Sequence, residues 1–259
     1  MAAEKRLKGV LYGVHPVEEA LRSGSRTVGA LYLAEGARGG RLRIIEELAR
    51  ARGLKVRRID VRTLDRMVGG AVHQGVVVEA DARPTLDLDQ VLADLADQEE
   101  AVVVVLDGVQ DPHNLGAVVR NAALAGAAAV LIPKDRAAGV TPVVEKVAAG
   151  GLEHVKVVRT GNIAQTLRRL KEEGFWIYGA AGEAGAEDLY RVEFAARAVI
   201  VLGEEHGGLR RLTRELCDRF VRIPSTGVID SFNLGTASGI ILARMYSERQ
   251  PRSASNRKT

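Results

Sequence analysis

From Ala101 onward the chain repeats one pattern: a short, nearly unbroken apolar run, a stretch with helical spacing, then another apolar run. The runs are Ala101–Leu106, Ala128–Ile132, Val155–Val158, Phe175–Tyr178, Ala198–Leu202 and Phe220–Ile223. A strand with one wet face alternates apolar and polar residues; these do not, so both faces are expected to be covered. Helical stretches over 115–125, 141–149, 161–173, 208–216 and 233–248 supply the cover. The alternation predicts an α/β fold with a mostly parallel sheet between helices. Such sheets hold ligands beyond the carboxyl ends of their strands, so the loops there are where chemistry is expected.

The first third reads differently. Pro16–Arg22 and Arg41–Arg52 have helical spacing, the second ended by Gly53, while Ala30–Leu33, Lys55–Ile59 and Gly75–Glu79 read as strands. This predicts a small α/β domain over residues 1–80. Breakers at 81–84 and the acidic stretch 87–100 place a linker, with room for a short helix, at 81–98. The second domain then spans 99–249, and the polar, basic residues 250–259 are expected to be a disordered tail.

Charge separates the two parts. Residues 1–83 carry 16 Lys and Arg against 10 Asp and Glu, a net of +6, whereas residues 84–259 have a net of −2. A basic module on a near-neutral body points to a polyanionic partner, although an arginine-rich solvated face gives the same count. No run approaches the ~18 apolar residues of a membrane span, and no apolar segment follows the first residues, so a cytoplasmic protein is expected. Cys217 is the single cysteine, and His15, His73, His113, His154 and His206 share no ligand spacing, so no metal site is expected. The chain has no P-loop motif, no G-x-S-x-G elbow and no G-x-G-x-x-G after its first buried strand.

Three strand-end loops carry a signal. Asp107–Asn121 contains Asn114, a natural helix N-cap, and Arg120 six residues later, expected to flank the helix's apolar stripe of Leu115, Val118, Val119 and Ala122. Gly203-Glu-Glu-His-Gly-Gly208 follows the strand at 198–202, and its glycines let main chain approach a ligand. Glu205 there can accept hydrogen bonds. Pro224 ends the last strand, Gly227 permits a positive-φ turn, and Asp230, Ser231 or Asn233 can cap a helix with small residues at 235 and 237–239. Singly, each loop also fits a bland structure: a capped helix with a surface arginine, a tight turn, or a helix packed on a sheet.

In order, the loops read N-L-G-x-x-x-R, G-x-E-x-x-G and I-P-x-x-G-x-x-x-S-x-N. That set resembles the SpoU family of RNA ribose 2′-O-methyltransferases. Leu106-Asp-Gly-Val109, Ile132-Pro-Lys-Asp-Arg136, Ala180-Ala-Gly-Glu183 and Arg211-Leu-Thr-Arg-Glu215 resemble family members acting on a guanosine of 23S rRNA. So do Tyr12-Gly-Val-His-Pro16 and Gly70-Ala-Val-His-Gln-Gly75. The resemblance spans about residues 10–248.

The resemblance implies a SPOUT-type catalytic domain with a C-terminal trefoil knot, a preceding ribosomal-protein-L30e-like RNA-binding domain, and a homodimer. S-adenosylmethionine is the implied cofactor and 23S rRNA the implied partner. Matching positions make Gly203, Ile223 and Phe232 the main-chain cofactor contacts, with Leu202, Gly208, Ser225, Gly227 and Leu234 nearby. Arg120, Asn114, Glu205, Ser231 and Asn233 match the family's catalytic polar positions. An arginine stays protonated in proteins, with a pKa above ~12, so Arg120 is expected to hold a phosphate and stabilise developing alkoxide charge rather than act as a base. The chain departs from the family at Ser225 (usually Met), at Gly235 (usually Ser), and at His206 and Asp230. A tRNA or other rRNA target, or a non-catalytic ribosome-assembly factor, are the alternative readings; tRNA members commonly lack the small domain.

Overall fold

The computed structural model describes residues 9–81, 86–135, 137–182, 185–204, 207–228 and 231–250. They form two compact units: residues 1–85 with 140–154, and residues 86–139 with 155–259.

The first unit is a four-stranded sheet with helices. Its elements are β1 (Gly9–Tyr12), α1 (Val14–Ser23), β2 (Val28–Ala34), α2 (Gly40–Ala51), β3 (Val56–Ile59), α3 (Val61–Met67) and β4 (Val76–Ala80), in sheet order β1-β4-β2-β3. β4 is antiparallel to β1 and β2, and β3 is parallel to β2. The carboxyl ends of β1, β2 and β3 therefore share one end of the sheet with the start of β4. There the two halves of the first-third resemblance meet. Gln74, at φ +54°, receives the Val14 N–H on Oε1 at 3.0 Å. Buried His73 accepts the Gly75 N–H on Nδ1 at 3.0 Å, which leaves its ring proton on Nε2, 3.1 Å from Asp65 Oδ1. β1 and α3 were not apparent in the sequence: four-residue and seven-residue elements are too short to show a period.

The second unit holds a seven-stranded, all-parallel sheet, in line with the α/β expectation. Its elements begin with α4 (Leu88–Leu95), β5 (Ala101–Asp107), α5 (Pro112–Leu124) and β6 (Ala129–Pro133). The chain then makes an excursion, α6 (Pro142–Ala148) and a 3₁₀ turn at Gly151–Glu153, that packs with the first unit. β7 (Lys156–Thr160), α7 (Ile163–Glu172), β8 (Trp176–Ala180), β9 (Glu187–Asp188), β10 (Arg197–Gly203), α8 (Arg211–Leu216), β11 (Arg219–Arg222) and α9 (Leu234–Arg249) complete the unit. The sheet order is β7-β6-β5-β10-β8-β11-β9. β5 is buried at every position, as its unbroken apolar run requires. Part of the 81–98 stretch is α4, closed by an Asp87–Gln90 capping box, with Val91, Leu92 and Leu95 in the core beside β5 and β6.

The excursion is held to α1 and the start of β2 by charge. Arg26 donates to Glu145 at 2.9 Å and to Glu153 at 3.1 Å, with side chains of Arg26 and Glu153 only 5% and 2% exposed. Removing one member of such a group costs about 3–5 kcal/mol, because its partners keep a buried charge.

Two local expectations are corrected. The N-cap of α5 is Asp111, whose carboxylate receives the N–H groups of His113 and Asn114 at 3.0 and 3.3 Å, with Pro112 at the first helical position. Asn114 is thereby one turn inside the helix. Arg120 is exposed rather than set against the apolar stripe. The residues after Gln250 lie outside the described residues.

Candidate active site

Because all seven strands run one way, the ends of β5, β8, β10 and β11 open on the same edge. A cavity of about 680 Å³ lies there, inside the ~300–1,000 Å³ range of small-molecule sites. Leu202, Gly203, Gly208, Ile223, Ser225, Ser231, Phe232 and Leu234 all line it. Gly227 does not; it makes the positive-φ turn beside the wall, at φ +76°. Glu205, His206 and Asp230 lie outside the described residues. The wall also holds residues not expected from the sequence, among them Ala180 to Gly182 at the end of β8, Glu204, and Ala237 and Ile241 of α9. The first group sits at a strand end, which was the available signal.

The glycine loop is closed by its own main chain. Glu204 N donates to Gly208 O at 3.0 Å, and Gly208 N to Glu204 O at 2.9 Å. A Cβ on Gly203 would fall on the carbonyl group of Gly208 and 2.6 Å from the Leu209 nitrogen. The far end of the loop is tied to β5, where fully buried Asp107 accepts the Arg210 N–H at 2.9 Å. The Arg210 guanidinium reaches Glu204 at 3.3 Å. Gly108, at φ +104°, lies under that pair; a side chain there would overlap the Glu204 carboxylate.

α5 and α9 pack face to face at the edge of the cavity. Asn233 is the N-cap of α9 and accepts the N–H groups of Gly235 and Thr236 on Oδ1, at 2.9 and 3.3 Å. Its Nδ2 donates to Asn114 Oδ1 at 3.0 Å. Two turns along α5, Asn121 Nδ2 donates to Gly235 O at 2.8 Å and to Ser238 Oγ at 2.9 Å. A Cβ on Gly235 would lie 2.8 Å from the Ala117 Cβ, so the glycine that departs from the family pattern is what this helix spacing requires. Asn114, Asn233 and Arg120 are outside the cavity wall. Asn233 lies in sequence between the lining residues Phe232 and Leu234. The Arg120 side chain has no hydrogen bond or ion pair with any described residue.

Burial, aided by Asp218, pushes the Cys217 thiol up to about 12, so it holds essentially no thiolate at neutral pH. Among the described residues, no group of His, Cys, Asp and Glu is placed to hold a metal. No described helix is long and apolar enough to cross a membrane.

Known proteins supply the frame for this geometry. Residues 101–243 match the SpoU rRNA Methylase family, and residues 10–86 match the RNA 2′-O ribose methyltransferase substrate-binding family. The chain is 41% identical over 242 residues to the 23S rRNA (guanosine-2′-O-)-methyltransferase RlmB of Vibrio vulnificus, covering 92% of this chain and 96% of that protein. It is 42% identical to RlmB of Pseudomonas syringae pv. tomato, with 92% and 95% covered. In fold it resembles the crystal structure of the SpoU methyltransferase AviRb from Streptomyces viridochromogenes in complex with AdoMet, at a TM-score of 0.76 and 24% identity, covering 93% of this chain and 90% of that one. On the family match over more than half its length and relatives above 40% identity along nearly all of it, this chain belongs to the SpoU rRNA methylase family.

Proposed function

We propose that the chain is an S-adenosylmethionine-dependent RNA ribose 2′-O-methyltransferase whose substrate is a guanosine of 23S rRNA. The observation that carries this reading is the convergence of the second and third motif loops on one strand-end cavity, with α5 carrying Arg120 at its edge. The cavity fits the cofactor: its size suits a nucleoside-sized molecule, and Gly203 leaves main chain bare where any Cβ would collide. Gly203, Ile223 and Phe232 would hold it by main chain, with Leu202, Gly208, Ser225 and Leu234 around them. When bound, that group supplies a methyl on a sulfonium, whose leaving thioether needs no acid.

The chain's own work lies at the nucleophile. A ribose hydroxyl is a very weak acid and must shed its proton near the transition state. Arg120, exposed on α5, would bind the neighbouring phosphate and stabilise charge growing on the 2′-oxygen. Asn114, Asn233 and Ser231 would place the ribose; Glu205 would join them from the glycine loop. The RlmB relatives support the guanosine of 23S rRNA as target. The order of β5, β10 and β8 supports a trefoil knot, because β10 inserts between strands that precede it in the chain. A homodimer acting in the cytoplasm completes the proposal.

In the first unit, the shared loop end is the RNA face. Arg38 and Arg62 are exposed there, and Gly36, Gly39, Gly69 and Gly70 all stand at positive φ with open space around them. Main chain so uncovered can approach phosphates. Reversing both charges, Arg38→Glu with Arg62→Glu, is expected to weaken rRNA-fragment binding more than tenfold at 0.1 M salt. The dependence of log affinity on log salt should flatten by about 1.5. Cofactor affinity measured without RNA should not move. Equal RNA affinity would place the RNA elsewhere. Charge reversal is cleaner than truncation here, since deleting residues 1–85 would strip α6 and its 3₁₀ turn of their partner.

The test of the function is ribose-methylation mapping of rRNA by mass spectrometry, with and without the gene. One 2′-O-methylguanosine of 23S rRNA should vanish and return on complementation. An unchanged 23S rRNA with a lost tRNA methylation would select the tRNA reading.

A further inference from the structure

β5 is apolar along its length until its last residue, Asp107, which is as buried as the rest. A carboxylate is costly to bury and adds nothing to the strand's packing, so its partners have to explain it. Its Oδ2 accepts the Arg210 N–H at 2.9 Å. Its Oδ1 makes no hydrogen bond and lies 3.7 Å from Arg210 Nε, within ion-pair reach but beyond hydrogen-bond distance. The same guanidinium returns over Gly108 to Glu204, at 3.3 Å. Gly108 leaves that path open: a Cβ there would stand 2.7 Å from Arg210 Nη2. Asp107 also lies beside Gly203 in the β5–β10 register. The loop that starts there supplies Gly203, Glu204, Gly208 and Leu209 to the cavity wall, while neither Asp107 nor Arg210 lines it. One buried side chain on β5 thus holds the far end of the loop by main chain and, through the guanidinium, reaches the residue at its near end.

We infer that Asp107 is a positioning residue for the cofactor, which acts through Arg210 to set the glycine loop in the shape that receives it. The inference rests on the cofactor reading above and adds a determinant outside the cavity wall. The Glu204–Gly208 main-chain bonds close the loop on itself but do not say where it stands. Asp107 supplies that reference, because it belongs to the central strand and Arg210 is the first residue beyond Leu209.

Calorimetric titration of the full chain with S-adenosylmethionine, without RNA, tests this. Asp107→Asn keeps an oxygen for the Arg210 N–H but removes the charge that holds the guanidinium, and should raise the dissociation constant about tenfold or more. Its thermal midpoint should stay within about 3 °C of wild type, because the amide leaves no charge buried; a merely structural carboxylate would lower the midpoint and leave the constant alone. Arg210→Met keeps every main-chain bond of the loop and removes only the guanidinium. It reads the same link even where Asp107→Asn folds poorly, and should weaken binding by a similar factor. Because both substitutions break one link, the double variant should bind within about threefold of the weaker single variant. The inference is overturned if Asp107→Asn or Arg210→Met binds the cofactor as tightly as wild type, or if the two losses multiply in full. Wild-type protein that takes up no S-adenosylmethionine would overturn the cofactor reading itself, and the inference with it.

Discussion

Arg120→Ala should lower kcat by about 10²–10³, the usual cost of removing one donor aimed at a developing oxyanion, while cofactor affinity stays within twofold. The separation follows from where the side chain stands. It lies on α5, exposed, outside the cavity wall and without a partner among the described residues, so its loss neither opens the pocket nor strands a buried charge. Arg120→Lys keeps the charge but loses the planar fork that can span two phosphate oxygens, and should recover only part of the rate. Single-turnover methyl transfer at saturating RNA, paired with calorimetric titration of the cofactor, reads both quantities. Turnover of the alanine variant at the wild-type rate would take Arg120 out of the mechanism.

Gly203→Ala should raise the cofactor dissociation constant at least 100-fold. The new methyl group would sit on the Gly208 carbonyl and against the Leu209 nitrogen. Main chain cannot yield by changing rotamer. Either the end of β10 or the glycine loop must move, breaking the reciprocal Glu204–Gly208 hydrogen bonds, each worth about 0.5–1.5 kcal/mol, and displacing a cavity wall. Gly207→Ala is the control: its Cβ would meet only the Glu204 side chain, at 3.7 Å or beyond, and cofactor binding should be close to wild type. If both variants bind alike, the cofactor is held somewhere other than this loop.

Much of the second unit was legible before any coordinates. β5, β6 and β10 announce themselves as apolar runs, and Asn233 is a good cap wherever it falls before a helix. Gly203 and Gly208 stand out because glycine after a buried strand has few other uses. Asn114 shows the limit. Its residue type suits an N-cap, yet Asp111, followed by proline, takes that role, and Asn114 is released to meet a residue 119 positions away. Likewise Val140–His154 has ordinary helical spacing, and nothing in it says that it packs with Arg26 rather than on the sheet beside it. Ala180 to Gly182 carry part of the family resemblance, but that they line the cavity follows only from β10 lying next to β8.

What residue order alone determined is local: which segments are strands buried on both faces, where helices begin, and where main chain is left bare by glycine. Those depend on side-chain size, branching and hydrogen bonding within a few residues. Strand order, the α5–α9 contact that orients Asn114, and the choice of which loops share a cavity were decided only in three dimensions. Each is a contact between distant segments, and apolar periodicity records that a face is covered without recording by what.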